Sequence, residues 1–338
     1  MAKTVKLATT QVGWKPRPIE ADPYGDSFSF GVALEAARRA VDGHATLLSM
    51  AGDAGADIAV AGEDIASLGT AMTYLDDPSI FRRLTEQVAP YVHETLSNVA
   101  KSRRMHVVAS CYEAEGERIF NSSVLFGRDG AVIGRYHKVH LPVYETWLVT
   151  AGDSFPAFET DIGMVGLIIC YDDCWPESTA SCALNGARII CHSSAASPAE
   201  YRVRARAMDY QVFYITSTNA HSRIASPNSK ILADAEDREG TFVAAEVDVE
   251  RATLSPENYW EYLYSGIRDH RERHLKLRRP DAYGALVKAE PPAVKAYPKG
   301  GVANTPEAIR AVYEKHREER RRELRGERSH YEWKWSED

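Results

Sequence analysis

Apolar positions follow two rhythms through the first 250 residues. Strand-like alternation or short apolar runs occupy Val5–Val12, Ile58–Ala61, Val107–Tyr112, Ile119–Phe126 and Val132–His137. The turn Gly127-Arg128-Asp129-Gly130 separates the last two. Between them the spacing shifts to three and four, predicting helices over Ala33–Val41, Ala45–Ala54, Ser79–Val88 and Tyr91–Arg103. Pro90 reads as a first-turn residue of the last helix. Met164–Cys170 is an apolar run that stops abruptly at Cys170, and Pro176 then opens a helix to about Asn185. A strand at Ile189–His192, a helix at Arg202–Gln211 and a strand at Val212–Thr218 follow. Lys230–Ala233 and Thr241–Val247 are expected to pair across the turn-rich Asp234–Gly240.

Strands alternating with helices predict an α/β fold. No repeat or low-complexity linker interrupts the pattern, so residues 1–264 are expected to form one domain and 265–338 a C-terminal extension. The Pro- and Asp-rich loop Trp14–Asp26 lies outside the core pattern. In the extension, a Pro/Gly-rich stretch (Glu290–Thr305) precedes a charged helix expected from Pro306 to about Arg325. An apolar share of 44% over 338 residues suffices for a sizeable core and excludes disorder of the whole chain. No stretch of eighteen apolar residues occurs, so no membrane span and no membrane partner are expected. Five cysteines, odd in number, suit a reducing compartment. With no signal-peptide pattern at the N-terminus, they predict a cytoplasmic location. Net charge is −7, but Ile267–Asp338 carries 18 basic against 13 acidic residues, leaving −12 on the body. The tail's signs are mixed, as in Glu314–Arg320, which suits a salt-bridged helix face better than a nucleic-acid surface.

Dinucleotide, P-loop and serine-hydrolase motifs are missing, and no cofactor is expected. His137 with His140, and Cys191 with His192, hint at metal, but neither has a zinc-site spacing. More informative is that Glu63, Lys138 and Cys170 each follow a predicted strand. Strand ends on one rim can converge on a pocket. A carboxylate to accept a proton, a thiol to attack and an ammonium to hold an oxyanion are what covalent attack on an amide needs. Lys138 is expected to lower the thiol pKa, and the Tyr171 N–H to be a second oxyanion donor. Each residue also has an ordinary alternative: a buried structural thiol, a helix-capping Glu63 beside Asp64, a solvated lysine.

The local sequences favour the catalytic reading. Ile58-Ala-Val-Ala-Gly-Glu-Asp64, Arg135-Tyr-His-Lys-Val-His-Leu-Pro142 and Gly166-Leu-Ile-Ile-Cys-Tyr-Asp-Asp-Cys-Trp-Pro-Glu177 resemble the Glu-Lys-Cys blocks of the nitrilase superfamily, the carbon–nitrogen hydrolases. Phe120–Phe126, Gly152–Phe158, Arg204–Gln211 and Thr218-Asn219 are also similar to blocks of that family, in order and up to about residue 250. Two departures stand out: Gly62 replaces the usual proline-containing pair before the glutamate, and Ser226–Lys230 lacks a glycine before its serine. The resemblance implies a four-layer αββα sandwich that pairs with a second subunit. It also implies a fourth functional position, a glutamate after the lysine block, for which Glu145 is the candidate. Ser194 and Ala195 are, with Tyr171, the expected substrate contacts.

Nitrile-cleaving members of the family typically have Cys-Trp-Glu, whereas Cys170-Tyr171-Asp172 looks more like amidases and N-carbamoyl amide hydrolases. Carbamoylases acting on D-amino acids usually have arginines just downstream; here stand Asp173 and Cys174. Asp173 either meets a cationic or neutral substrate or, as the favoured reading, pairs with an arginine such as Arg204 or Arg206. Arg268–Leu286, with Arg278-Arg-Pro-Asp-Ala-Tyr-Gly284, resembles tails of the carbamoylase and β-ureidopropionase-like branches. The expected partners are therefore a small amide or ureido substrate and water. A nitrilase, or a catalytically silent assembly scaffold, are the alternatives. Ile309, Val312 and Tyr313 form an apolar stripe too narrow to fold alone, and Tyr331, Trp333 and Trp335 are candidate anchors. At least a homodimer is expected, with the tail crossing to a neighbour.

Overall fold

In a computed structural model of the chain, the described residues are 4–13, 28–69, 77–251, 263–289, 291–295, 305, 307–312 and 314–315. The strands are β1 (Thr4–Gln11), β2 (Ile58–Val60), β3 (His106–Glu115), β4 (Arg118–Phe126), β5 (Val132–His137), β6 (Ala157–Thr160), β7 (Gly163–Ile169), β8 (Ile189–Ser193), β9 (Phe213–Ser217), β10 (Arg223–Ala225), β11 (Ile231–Asp234) and β12 (Thr241–Asp248). They form two six-stranded sheets, ordered β12-β1-β2-β3-β4-β5 and β11-β10-β9-β8-β7-β6. Outside the first lie α1 (Phe30–Asp53) and α2 (Pro78–Arg103); outside the second lie α3 (Pro176–Leu184) and α4 (Glu200–Asp209). This is the αββα sandwich.

Strand periodicity sorts the core into three layers. Val108 faces the opposite sheet while its neighbours Val107 and Ala109 face α1 and α2. Ile189 and Cys191 likewise face inward, and Ile190 packs under α3 and α4. Val5, Leu7, Val60 and Tyr136 from one sheet meet Val165, Leu167, Ile169 and Ile215 from the other. Each aliphatic side chain so buried contributes roughly 1.5–3 kcal/mol.

Three expectations change. Ala33–Val41 and Ala45–Ala54 belong to one helix, because buried Val41, Ala45 and Leu48 keep helical phase across the exposed Gly43. Pro90 lies inside α2 instead of opening a second helix. It stands on the exposed side of a stripe (Leu84, Val88, Val92, Leu96) that continues past it, so the carbonyl of Glu86 that loses its donor is on an exposed residue. Finally, β11 and β12 do not form a hairpin: β11 pairs antiparallel with β10, whereas β12 crosses to the other sheet and pairs with β1 from Thr4↔Asp248 to Gln11↔Thr241. That crossing gives β1 a second neighbour.

In the extension, α5 (His270–Lys276) packs on its own chain: the buried Arg271 donates through Nη2 to the carbonyls of Ala187 (2.8 Å) and Ala183 (3.4 Å) at the end of α3. Residues 307–312 are helical, with Ile309 buried and Val312 exposed. The loop Trp14–Asp26, Pro306, Tyr313, residues 316–325 of the expected helix, and Tyr331, Trp333 and Trp335 lie outside the described residues.

Candidate active site

In the first sheet β2 runs parallel to β3, and two antiparallel steps bring β5 into the same direction. Glu63 and Lys138 therefore leave the same rim. In the second sheet β7, β8 and β9 are parallel, so Cys170, Ser194 and Thr218 leave one rim together. The two rims are joined where the Ser193 hydroxyl donates to the Ala61 carbonyl at 2.7 Å. Strand-end convergence thus holds across both sheets.

Lys138 is the centre of the charged group. Its Nζ donates to Glu63 Oε1 at 2.8 Å and to Glu145 Oε2 at 2.9 Å, with all three side chains nearly inaccessible to water. Asn121 Nδ2 donates to Glu63 Oε1 (2.9 Å) and more weakly to Glu145 Oε1 (3.4 Å), and the Tyr112 hydroxyl donates to Glu145 Oε1 (3.1 Å). The Ala195 N–H donates to Glu63 Oε2 at 3.1 Å. The lysine is seated by Gly152, whose N–H donates to the Lys138 carbonyl at 2.8 Å; a side chain there would collide with the His137 carbonyl. Asp64 accepts from the Gly69 N–H at 2.6 Å, closing the turn after β2. It takes the local turn role that could otherwise have fallen to Glu63.

The two carboxylates lie at nearly equal distances from the ammonium, but their surroundings move them in opposite directions. Burial alone would lower Lys138, but the charges of Glu63 and Glu145 hold its ammonium well above the usual lysine range. Burial also raises Glu63, yet the charge and hydrogen bond of Lys138, helped by the neighbouring Cys170 thiol and the Ala195 N–H, bring it below its ordinary value. Glu145 moves up: burial outweighs Lys138, and the charge of Glu63 adds to the rise. Glu63 is therefore the ionised carboxylate beside the thiol.

Cys170 begins a 3-10 turn (Cys170–Cys174) directly after β7, with φ at +41°, a left-handed conformation rare for a side chain with Cβ. Asp172 ties this turn to the lysine loop. It accepts from the Ile169 N–H (2.9 Å), the Tyr136 hydroxyl (2.6 Å) and the His140 N–H (2.9 Å). The Cys170 thiol stands close enough to Glu63 and Ser194 for both to bear on its titration. Burial, then the Glu63 charge, push its thiol up to about 12; Lys138 pulls downward but does not prevail. The expected depression of the thiol pKa by Lys138 is thus reversed in the balance, and the resting sulfur is a neutral thiol.

Of the expected substrate contacts, Tyr171 is 39% exposed and meets Trp175 edge-on at 4.8 Å. Ser194 is buried, donating to the Ala196 carbonyl at 2.6 Å, and the Ala195 carbonyl accepts from Asn219 Nδ2 at 3.0 Å. Asp173 is buried and paired: Oδ1 accepts from the Tyr214 hydroxyl (2.9 Å) and lies 3.8 Å from Arg206 Nε, while Oδ2 lies 3.6 Å from Arg202 Nη1. Arg204 turns away to Glu200 and the Ser229 carbonyl. Asn121, Tyr112 and Asp172 were not assigned roles from sequence, although Asn121 stands in one of the family-like blocks. His137 and His140 bond Ser122 and Asp172. Among the described residues no group of three or more His, Cys, Asp or Glu could hold a metal ion. No helix among them is long and apolar enough to cross a membrane.

Comparisons with known proteins bear on the family and the fold. The family model for carbon-nitrogen hydrolases matches residues 35–257. The chain is 33% identical over 169 residues to a nitrilase of Pyrococcus abyssi, covering 46% of this chain and 63% of that protein's length. It is 27% identical over 222 residues to the human omega-amidase NIT2, covering 58% and 80%. Among solved structures, a carbon-nitrogen hydrolase from Helicobacter pylori G27 superposes with a TM-score of 0.65 at 21% identity, over 84% of this chain and 98% of that one. An amidase of Nesterenkonia AN1 gives 0.57 at 17%, over 82% and 95%. Taken with the two sheets and their shared rim, the family match over most of the sandwich shows that the chain belongs to the carbon–nitrogen hydrolases of the nitrilase superfamily.

Proposed function

We propose that the protein hydrolyses a small primary amide through an acyl-thioester on Cys170. The observation that carries this is a neutral thiol beside an ionised Glu63 that is itself held by a buried ammonium at 2.8 Å. As Cys170 Sγ bonds the amide carbon, the thiol proton passes to Glu63 and the carbonyl becomes an oxyanion. Lys138 has three donors; two are held by Glu63 and Glu145, leaving one for that oxyanion. The Tyr171 N–H supplies a second. Glu63 returns the proton to the leaving nitrogen, the C–N bond breaks and ammonia departs. Water then attacks the thioester, giving its proton to Glu63, and the acid leaves as the thiol is restored. Glu145 acts as a positioning residue for Lys138.

Omega-amidase and amidase relatives support an amide as the bond broken. Asp173 and Cys174, standing where D-carbamoylases usually have arginines, favour an amide over an N-carbamoyl amino acid. A panel of primary amides, N-carbamoyl acids and amines, and nitriles, read by ammonia release, tests the reading. Release from amides is expected. Release from a nitrile but not its amide would establish a nitrilase. Silence throughout, with no labelling of Cys170 by an electrophile, would leave the assembly scaffold.

The working unit in this proposal is a homodimer. Exposed Leu184, Tyr201 and Met208 on α3 and α4, beside the nucleophile, support it. Removing residues after Tyr297 tests whether the tail contributes. Light scattering should then show fewer subunits per particle, whereas an unchanged subunit number and melting temperature would exclude the tail from assembly.

A further inference from the structure

His192 lies in the middle of the second sheet, on β8, paired with Ile168 of β7 and Thr216 of β9. It is 1% exposed. Its Nε2 is 3.1 Å from the backbone carbonyl oxygen of Cys170, and its Nδ1 is 3.0 Å from Thr216 Oγ1. These partners fix the tautomer. A carbonyl oxygen can only accept, so Nε2 carries the proton; Nδ1 of a neutral ring then accepts, and the Thr216 hydroxyl donates. Burial lowers the imidazole pKa and keeps it neutral. The threonine is itself anchored, its carbonyl accepting from the Thr9 hydroxyl of the facing sheet at 2.9 Å.

The carbonyl that His192 holds belongs to the same planar peptide unit as the Tyr171 N–H. In a trans peptide the C=O and N–H point in opposite directions, so fixing one aims the other. A donor on the oxygen also polarises the unit and strengthens the N–H as a donor. This is the peptide that follows the left-handed Cys170, a conformation that persists only when its surroundings over-determine it.

We propose that His192 is a positioning residue for the oxyanion-binding peptide: through the Cys170 carbonyl it aims and strengthens the Tyr171 N–H. The inference rests on the thiol-acylation reading above and deepens it. Glu63 and Lys138 touch the reacting atoms, whereas His192 acts from behind the peptide. Its contribution belongs to reactions that develop a carbonyl oxyanion and is absent from those that do not.

That distinction supplies the test. With p-nitrophenyl acetate, Cys170 Sγ bonds the acetyl carbon, the thiol proton passes to Glu63, and p-nitrophenolate leaves with the C–O electron pair. With methyl methanethiosulfonate, the same sulfur bonds the methylthio sulfur, the thiol proton passes to Glu63, the reagent's S–S bond breaks and methanesulfinate leaves, so no carbonyl oxyanion forms. His192→Phe should slow the p-nitrophenolate burst about tenfold to a hundredfold. Labelling of Cys170 by the thiosulfonate, read by peptide mass spectrometry with exposed Cys174 as internal reference, should stay within about twofold. His192→Gln, whose amide can still donate to the carbonyl, should recover most of the burst rate. Equal losses in both reactions would overturn the proposal, showing that the residue holds the thiol or the fold. An unchanged burst with a lowered melting temperature would make it purely structural and overturn it too. A wild-type chain with no burst dependent on Cys170 would instead overturn the acylation reading, and this inference with it.

Discussion

The two sheets furnish the site in opposite ways. The first supplies charge: Glu63, Lys138 and Glu145 all leave its rim, and Asn121 and Tyr112 on its strands hold the two carboxylates. The second supplies geometry: Cys170 in a left-handed turn, braced by Asp172 and His192 through groups that take no part in the ion pairs. Buried charges are tolerable because every partner is fixed in advance, and the strained turn is tolerable because its carbonyl and neighbouring amides are anchored. In the proposed reaction, a base from one sheet and a nucleophile from the other, prepared separately, meet only at the seam. The thiol can then stay neutral until substrate arrives, unlike a pre-formed thiolate exposed to oxidation.

The most severe break should come from removing either side of that seam. Cys170→Ala should lower ammonia release by about a thousandfold or more, and turnover within tenfold of wild type would end the covalent reading. Glu63→Gln should be comparably slow, because the thiol step and the water step both lose their base; an acyl adduct on Cys170 in its intact mass after mixing with substrate would place the larger loss on the water step. Next in size is Lys138→Arg. A planar guanidinium cannot match the compact ammonium that sits 2.8 Å and 2.9 Å from two carboxylates. A loss of about a hundredfold in kcat is expected, nearly that of Lys138→Ala; a near-normal rate would remove the lysine from the site.

The smallest effect concerns pH. Behind Gly62, on the charged side, lies His44, whose burial lowers its pKa from 6.5 to about 4. The folded state resists its protonation while the unfolded state does not. Stability is therefore full above pH 6.5 and is lost as pH falls towards 4. By pH 4.5 the loss from this residue is on the order of 2 kcal/mol. His44→Phe should narrow the gap in melting temperature between pH 7 and pH 4.5; an unchanged gap would place the acid sensitivity elsewhere. Turnover should hold further into acid than stability does, since Glu63 must be protonated to stop it and its carboxyl is held below the usual glutamate value.

Residues whose chemistry marks them out were legible in the chain. An apolar run broken at Cys170, a proline opening α3, and Glu63 and Lys138 after two strands made these three candidates, and the resemblance of their flanking blocks to the nitrilase superfamily joined them into one expected site. Their supports were not. Asn121, Tyr112, Thr216 and His192 lie within strands, where a polar side chain gives no sign of its partner until register is known. Asp173 was assigned to an arginine on charge grounds, and Arg206 and Arg202 fill that role, but which arginine turns inward depends on helix phase. The sign of the thiol shift was also hidden, because it depends on burial, which no local motif encodes. Pro90 misled for the opposite reason: its local rule is strong, and the buried stripe of α2 was stronger.

The crossing of β12 constrains how the chain is made. Strand β1 lies inside its sheet, yet one of its two partners is the stretch Thr241–Asp248, separated from it by most of the sandwich in sequence. During synthesis at about 5–20 residues per second, that partner emerges from the ribosome roughly 10–50 s after β1 does. For this interval one edge of β1 offers unpaired amides and carbonyls to any passing strand. Newly made chains should therefore depend on chaperone shielding until β12 arrives, while the completed sandwich, with that edge covered, does not.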